Sequence, residues 1–153
     1  MLRQRLSDAL KVAMKSKDRL ATSTLRLILA AVKDRDIAAR GKGNADGISD
    51  DEVMSVLQTM VRQRDESIVF YEKGERPELA EKEAHEIVVI RRFLPEQMEE
   101  EQLTTAVAEA MDELGAASLK DMGRTMALLR ERYAGRMDFA KASVLVKARL
   151  AGG

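Results

Sequence analysis

Apolar residues return every third or fourth position along almost the whole chain, the signature of amphipathic helices rather than strands. The first stretch runs from about Leu2 to Ser16 and places Leu2, Leu6, Leu10 and Ala13/Met14 on one face. A second starts near Asp18 and turns Leu25, Ile28, Leu29 and Val32 inward, with Arg19, Arg26, Lys33 and Arg40 on its basic side. Three glycines within Gly41–Gly47 predict a mobile loop. Ser49-Asp50-Asp51-Glu52 then has the capping-box form of a helix start. The third helix buries Val53, Leu57, Met60, Val61, Ile68 and Tyr71 and ends near Gly74. Pro77 at a first helical position, followed by Glu78 and Glu81, opens a fourth. It carries Leu79, Ile87, Ile90 and Leu94 inward and stops before Pro95, where a helix cannot continue.

Pro95-Glu96-Gln97-Met98 reads as a short hinge. Beyond it, Leu103, Val107, Met111 and Leu114 define a fifth helix from about Glu99, with Gly115 as its stop. Ser118 is placed to N-cap a sixth helix, with Asp121 at the third helical position and Leu119, Met122, Met126 and Leu129 on the buried face. Gly135 is a natural left-handed residue just past the end of that helix. Asp138 can cap a seventh, whose apolar side reads Phe139, Ala142, Val146 and Leu150. The predicted fold is all-α: a four-helix N-terminal bundle domain over 1–94 and a small three-helix C-terminal tail domain over 96–153. The tail is at a size where a core is marginal on its own.

The formal net charge of zero hides a strong segregation. Residues 1–45 carry 11 basic and 4 acidic side chains (+7), residues 46–115 carry 7 and 19 (−12), and residues 116–153 carry 8 and 3 (+5). Both ends therefore permit contact with a polyanion, whereas the middle repels one; solvated helix faces are the bland reading of the same charges. Only five residues are aromatic, which argues against reading single strands by stacking bases on exposed rings. With no Cys, disulfides, thiolate zinc sites and cysteine nucleophiles are excluded. A reducing compartment fits, and without a secretion signal or a membrane-length apolar run the expectation is a cytoplasmic protein with no membrane partner. The first helix is basic and amphipathic, but Asp8 and Asp18 favour a structural helix over an organellar leader.

Catalytic chemistry is hard to place. His85 is the one histidine, and no nearby nucleophile or orienting partner gives it a general-base role, so a surface position on the fourth helix is expected. Glu99-Glu100-Glu101 would at best hold a hard cation weakly, and as first-turn carboxylates they complement the helix dipole. No phosphate-binding loop of the Walker or dinucleotide type is present. No catalytic residue, metal or cofactor is therefore expected. The nine methionines read as gap-fillers in an aromatic-poor core, with an adaptable groove as the alternative.

Cationic helices suit phosphate contacts that position a nucleic acid without reading its sequence. Arg124, Arg130, Arg136, Lys141 and Lys147 are the candidate contacts in the tail, with Gly123 and Gly135 shaping the backbone between them. A DNA-reading helix-turn-helix is disfavoured, because the connection Tyr133-Ala134-Gly135-Arg136-Met137 is longer than that motif usually allows.

Several segments carry a family resemblance. They are Leu25-Arg26-Leu27-Ile28 with Ala31-Val32-Lys33, Arg62-Gln63-Arg64-Asp65-Glu66-Ser67, and Phe93-Leu94-Pro95-Glu96-Gln97. The tail adds Asp121-Met122-Gly123-Arg124, Gly135-Arg136-Met137-Asp138 and Val146-Lys147-Ala148-Arg149-Leu150. In this order the chain resembles the free-standing members of the GatB/YqeY family. These are similar to the C-terminal helical and tail region of the B subunit of the tRNA-dependent amidotransferase, which acts on misacylated Glu-tRNA(Gln) or Asp-tRNA(Asn). Arg124 stands where the family often has Lys. Met98 and Glu99 replace a Ser-type cap, so fraying is expected there, and Glu75 interrupts a common Gly-Arg pair. The resemblance implies a helical bundle with a tail that contacts the outer corner of tRNA. It also implies no catalysis by this chain, since the carbon–nitrogen ligase chemistry, with glutamine as amido donor, belongs to other parts of the amidotransferase. A protein-interaction adaptor, or a regulator working with amidotransferase subunits, is the alternative.

Overall fold

Polar residues at the helix boundaries set where each segment begins. In the computed structural model, which describes residues 1–152, seven α-helices follow one another: α1 Leu2–Lys15, α2 Arg19–Gly41, α3 Asp50–Lys73, α4 Pro77–Arg91, α5 Glu100–Leu114, α6 Met122–Tyr133 and α7 Phe139–Gly152. No strand occurs among the described residues. The Asp18 carboxylate accepts the Ala21 N–H (3.1 Å) at the start of α2, and the Ser49 hydroxyl accepts the Glu52 N–H (3.2 Å) at the start of α3. Each satisfies a donor that the first helical turn leaves open. Pro77 occupies the first turn of α4.

The chain divides into two compact units, Met1–Pro95 and Glu96–Gly153. In the first, α1 packs on α2 and α3, and α4 packs on α2 and α3. Leu6, Ile28, Val53, Leu57 and Ile90 at its centre are shielded from solvent. Burial of Leu2, Leu6 and Ala13 in this core makes α1 a structural helix, each large apolar side chain adding roughly 1.5–3 kcal/mol. Leu79 departs from its expected inward position and is 36% exposed, while Ala80 beside it is buried; in the first turn of α4 the smaller residue faces the core. Ile68, Tyr71 and Leu94 are only half-buried.

The glycine-rich connection between α2 and α3 is fastened at its far end. Asp36 on α2 is buried and accepts hydrogen bonds from the Arg3 guanidinium, through Nε at 3.1 Å and through Nη2. The same carboxylate accepts the Ile48 N–H (2.9 Å), and Arg3 Nη2 also donates to the Ile48 carbonyl (2.6 Å). Gly47, at φ +80°, lies so close to Asp36 that a Cβ would collide with it. This network fastens the end of the connection at Gly47 and Ile48, whereas residues 41–46 are exposed. Asp50 likewise does more than open a helix: its carboxylate accepts from the Met1 amine (2.8 Å) and the Leu2 N–H (3.3 Å).

In the second unit α5, α6 and α7 pack pairwise on one another. Their core holds Val107, Leu129, Met137, Ala142 and Val146, all shielded from solvent. The start of α5 is capped despite lacking a Ser-type residue, since the Gln102 side chain accepts the Glu99 N–H (2.9 Å) in a reciprocal capping box. The fraying expected there is therefore corrected. Gly115 takes the left-handed conformation that ends α5 (φ +63°).

Candidate nucleic-acid interface

The tail's two punctuation segments build its surface. Ser118 and Asp121 form a capping box around a single 3-10 turn, Leu119–Asp121, rather than the first turn of one continuous helix. The Asp121 carboxylate accepts the N–H groups of Ala117 (2.8 Å) and Ser118 (3.2 Å). Those N–H groups, with Arg124 beside them, hold Asp121 below the usual carboxylate range. The tighter turn rotates Leu119 outward, to 53% exposure, so it leaves the buried face that Met126 and Leu129 keep. At the other end Gly135 is buried with φ +78°, and Asp138 accepts the N–H groups of Ala140 (3.0 Å) and Lys141 (3.2 Å) to start α7.

The five candidate cations do not form one equivalent set. Arg124 is a structural clamp: its Nη2 donates to the Leu114 carbonyl at the end of α5 (3.0 Å) and its Nε to Asp121 (3.1 Å). Cations suit that position, because the last carbonyls of a helix lack partners and carry the negative end of the dipole. Arg136 is half-buried and donates from Nε to the Glu96 carbonyl (3.3 Å). Around it the Gln97 amide donates to the Gly135 carbonyl (2.6 Å) and the Met98 N–H to the Arg136 carbonyl (2.9 Å). Residues 96–98 are thus bound to the α6–α7 turn of their own unit. Arg130 lies over the Phe139 ring, 5.7 Å from its centroid. Lys141 and Lys147 stand exposed on α7. They are six positions apart, which puts them about 120° apart around the helix and about 9 Å apart along it. Arg132, outside the candidate set, pairs with Glu113 at 2.6 Å; that contact lowers the Glu113 carboxyl and raises the Arg132 guanidinium.

Gly123 has no backbone-shaping role. It sits in the first turn of α6, and a Cβ there would meet nothing within 4 Å. Of the two glycines, Gly135 alone takes a left-handed conformation. A shallow groove along α5, lined by Glu99, Glu101, Glu109 and Tyr133 among others, is acidic and turns a phosphate away. The charge of the tail is therefore directional: carboxylates along α5, and three cations with no carboxylate along α7.

Among the described residues no group of three or more His, Cys, Asp or Glu is arranged to hold a metal ion. His85 is on the surface of α4, 3.9 Å from Glu81. The buried ion pair of the first unit, Arg64 with Glu86 (2.8 Å), joins α3 to α4. Arg64 also donates to the Met60 carbonyl (3.1 Å), so it is held by structure rather than aimed at a substrate. No described helix is long and apolar enough to cross a membrane.

The sequence profile of the Yqey-like proteins matches residues 3–150. The chain belongs to this family. Among curated relatives, the "Altered inheritance of mitochondria protein 41, mitochondrial" of Candida glabrata is 36% identical over 91 residues, 60% of this chain and 48% of the relative. The protein of the same name from Kluyveromyces lactis is 32% identical, over 58% of this chain and 45% of the relative. An uncharacterized protein of Schizosaccharomyces pombe is 33% identical over 63% of this chain and 71% of its own length. The matched segment thus spans about half the length of the mitochondrial relatives. Their names overturn the expectation of a cytoplasmic protein. The absence of cysteine fits any reducing compartment and does not distinguish one from another.

Proposed function

We propose that this Yqey-like protein is a non-catalytic RNA-binding accessory protein, with tRNA as the ligand class and the tail as a docking surface. The observation that carries this reading is the composition of α7, which has Lys141, Lys147 and Arg149 and no carboxylate after its cap at Asp138. Arg130, held over Phe139, adds a fixed cation on α6. Contacts of this kind are made to phosphates and carry little sequence information, so the fold of the RNA supplies the selectivity. Arg124 and Arg136 act by holding the helices in place, and their loss acts on binding through the shape of the tail. The resemblance to the amidotransferase B subunit supports tRNA over other RNAs, with any carbon–nitrogen ligase chemistry residing in partner subunits.

The test is a fluorescence titration of labelled tRNA with the full chain across a salt series. Lys141→Gln/Lys147→Gln should reduce the slope of log affinity against log salt by up to about two, since each lost phosphate contact removes roughly 0.7–0.9. Absence of binding near 50 mM salt, or a slope unchanged by the double substitution, would refute the docking surface. Glutamine-dependent amidation by the purified chain alone would refute the non-catalytic reading.

A further inference from the structure

The first unit carries a second cationic surface of a more regular kind. Arg19, Arg26, Lys33 and Arg40 recur every seventh residue along α2, and all four are exposed. Seven residues advance a helix by about 10.5 Å and return it to within about 20° of the same direction. The four side chains therefore form a ridge about 31 Å long that winds by about 60° around the helix from Arg19 to Arg40. It points away from Leu25, Ile28 and Val32, which are buried on the opposite side. Ser23 and Ala30 lie between the cations on this face and are short and exposed, so a partner can approach the helix closely. Asp34, adjacent to Lys33, is turned about 100° away from it. Buried Asp36, one turn before Arg40, is bound to Arg3 and Ile48; Arg40 donates from Nε to the Ala45 carbonyl (3.3 Å) and Arg26 from Nη2 to the Met14 sulfur (3.6 Å). Ile37 is the one large apolar residue on the ridge.

We infer that the α2 ridge is a second phosphate-binding surface, which engages the backbone of a structured RNA independently of the tail. Charge decides between the possible occupants. The acidic stretch 46–115 of a second copy would offer scattered carboxylates, and exposed ion pairs contribute only about 0–1 kcal/mol each. A duplex offers about one phosphate per 1.7 Å of axis, so several lie along the length of the ridge, and each contact releases condensed counterions. Four cations on a face without an exposed carboxylate fit that continuous charge better than they fit a protein face. The inference goes beyond the tail-docking reading and does not require it.

The experiment uses the full chain, labelled tRNA and a salt series, comparing three proteins: unaltered, Arg26→Gln/Lys33→Gln, and Lys141→Gln/Lys147→Gln. The α2 substitutions should reduce the salt slope by up to about two with helicity unchanged by circular dichroism. In a parallel arm tRNA should protect Lys33 from acetylation in the unaltered protein, a readout that does not depend on how the variants fold. An unchanged slope with Lys33 unprotected overturns the ridge, and so does absence of tRNA binding. If only the α2 pair lowers the slope, the ridge stands and the tail reading fails; the converse result leaves the tail and overturns the ridge. Salt-sensitive self-association in sedimentation, or binding to phosphatidylserine vesicles, without an effect of the α2 pair on tRNA also overturns it in favour of those partners.

Discussion

Replacing Asp36 with Asn tests whether the α2–α3 connection is held by charge. The substitution keeps the shape of the side chain but removes its charge and turns one acceptor into a donor facing donors. At least two interactions weaken: the paired hydrogen bonds from the Arg3 guanidinium, and the acceptance of the buried Ile48 N–H. Hydrogen bonds to charged groups contribute about 1.5–3 kcal/mol each. The Arg3 side chain is 37% exposed against 11% for Asp36, so solvent screens part of the pair. A loss of about 2–3 kcal/mol at pH 7 is expected, below the 3–5 kcal/mol typical of breaking a fully buried pair. The hydrogen bonds from Arg3, and after them the Ile48 N–H, hold the Asp36 carboxyl below its usual value. Its contribution is therefore complete above the unfolded value, about pH 3.9, and fades as pH falls through the lower folded value. The gap between the two proteins should be widest above about pH 5 and close in acid, where a protonated Asp36 resembles Asn. Urea unfolding followed by circular dichroism over pH 2–8 measures this, with a double-mutant cycle through Arg3→Ala. A gap under about 0.5 kcal/mol at neutral pH, a gap independent of pH, or no coupling to Arg3 would refute the reasoning.

Four other substitutions report on local structure. Gly135→Ala forces a side chain into a buried left-handed position (φ +78°) and should destabilise the tail by about 1 kcal/mol or more, whereas Gly123→Ala, in an open helical turn, should be neutral or stabilising by up to about 1 kcal/mol in thermal melts. Glu75 adopts φ +57° where α3 ends, so Glu75→Gly should raise the midpoint of chemical denaturation by the equivalent of about 0.5–1 kcal/mol. Leu129→Ala opens a cavity in the tail core, where Leu129 is fully buried, at a loss of about 2–5 kcal/mol; hydrogen exchange should show protection falling in α5–α7 while α1–α4 keep theirs.

The helices were legible in the sequence because their signals are local. Asp18, Ser49, Pro77 and Asp138 each act within one turn of where they stand, and the apolar period needs only a window of residues to be read. The anchored end of the α2–α3 connection is not legible in the sequence, because its contacts are not local. Composition shows three glycines and two charges between Gly41 and Gly47, but not that Arg3 lies against Asp36 and the Ile48 backbone. Gly47 is there for a close approach to a side chain eleven residues earlier. Leu119 failed for a different reason: a capping box predicts that a helix starts, but not that its first turn is a 3-10 turn, and that difference in twist turned the residue outward.

The same limit applies to the cations, with a larger consequence. Counting them identified the tail as basic, but a count gives every arginine equal weight. Arg124 is engaged with the Leu114 carbonyl and Asp121, Arg136 with the Glu96 carbonyl, and Arg132 with Glu113. A guanidinium has several donors, so engagement does not forbid a phosphate contact, but it fixes the group, and for Arg124 and Arg132 a neighbouring carboxylate offsets its charge. Side chains without such partners weigh more in a polyelectrolyte interaction, because binding there depends on charge left to neutralise. That consideration moves the centre of the tail surface from the motif residues Arg124 and Arg136 toward α7. It also brings forward the regular series of cations on α2, of which Arg26 already donates to the Met14 sulfur (3.6 Å) and Arg40 to the Ala45 carbonyl (3.3 Å). A tail-only interface predicts that truncating basic side chains on α2 leaves the salt slope unchanged; the exposed spacing of Arg19, Arg26, Lys33 and Arg40 predicts the opposite.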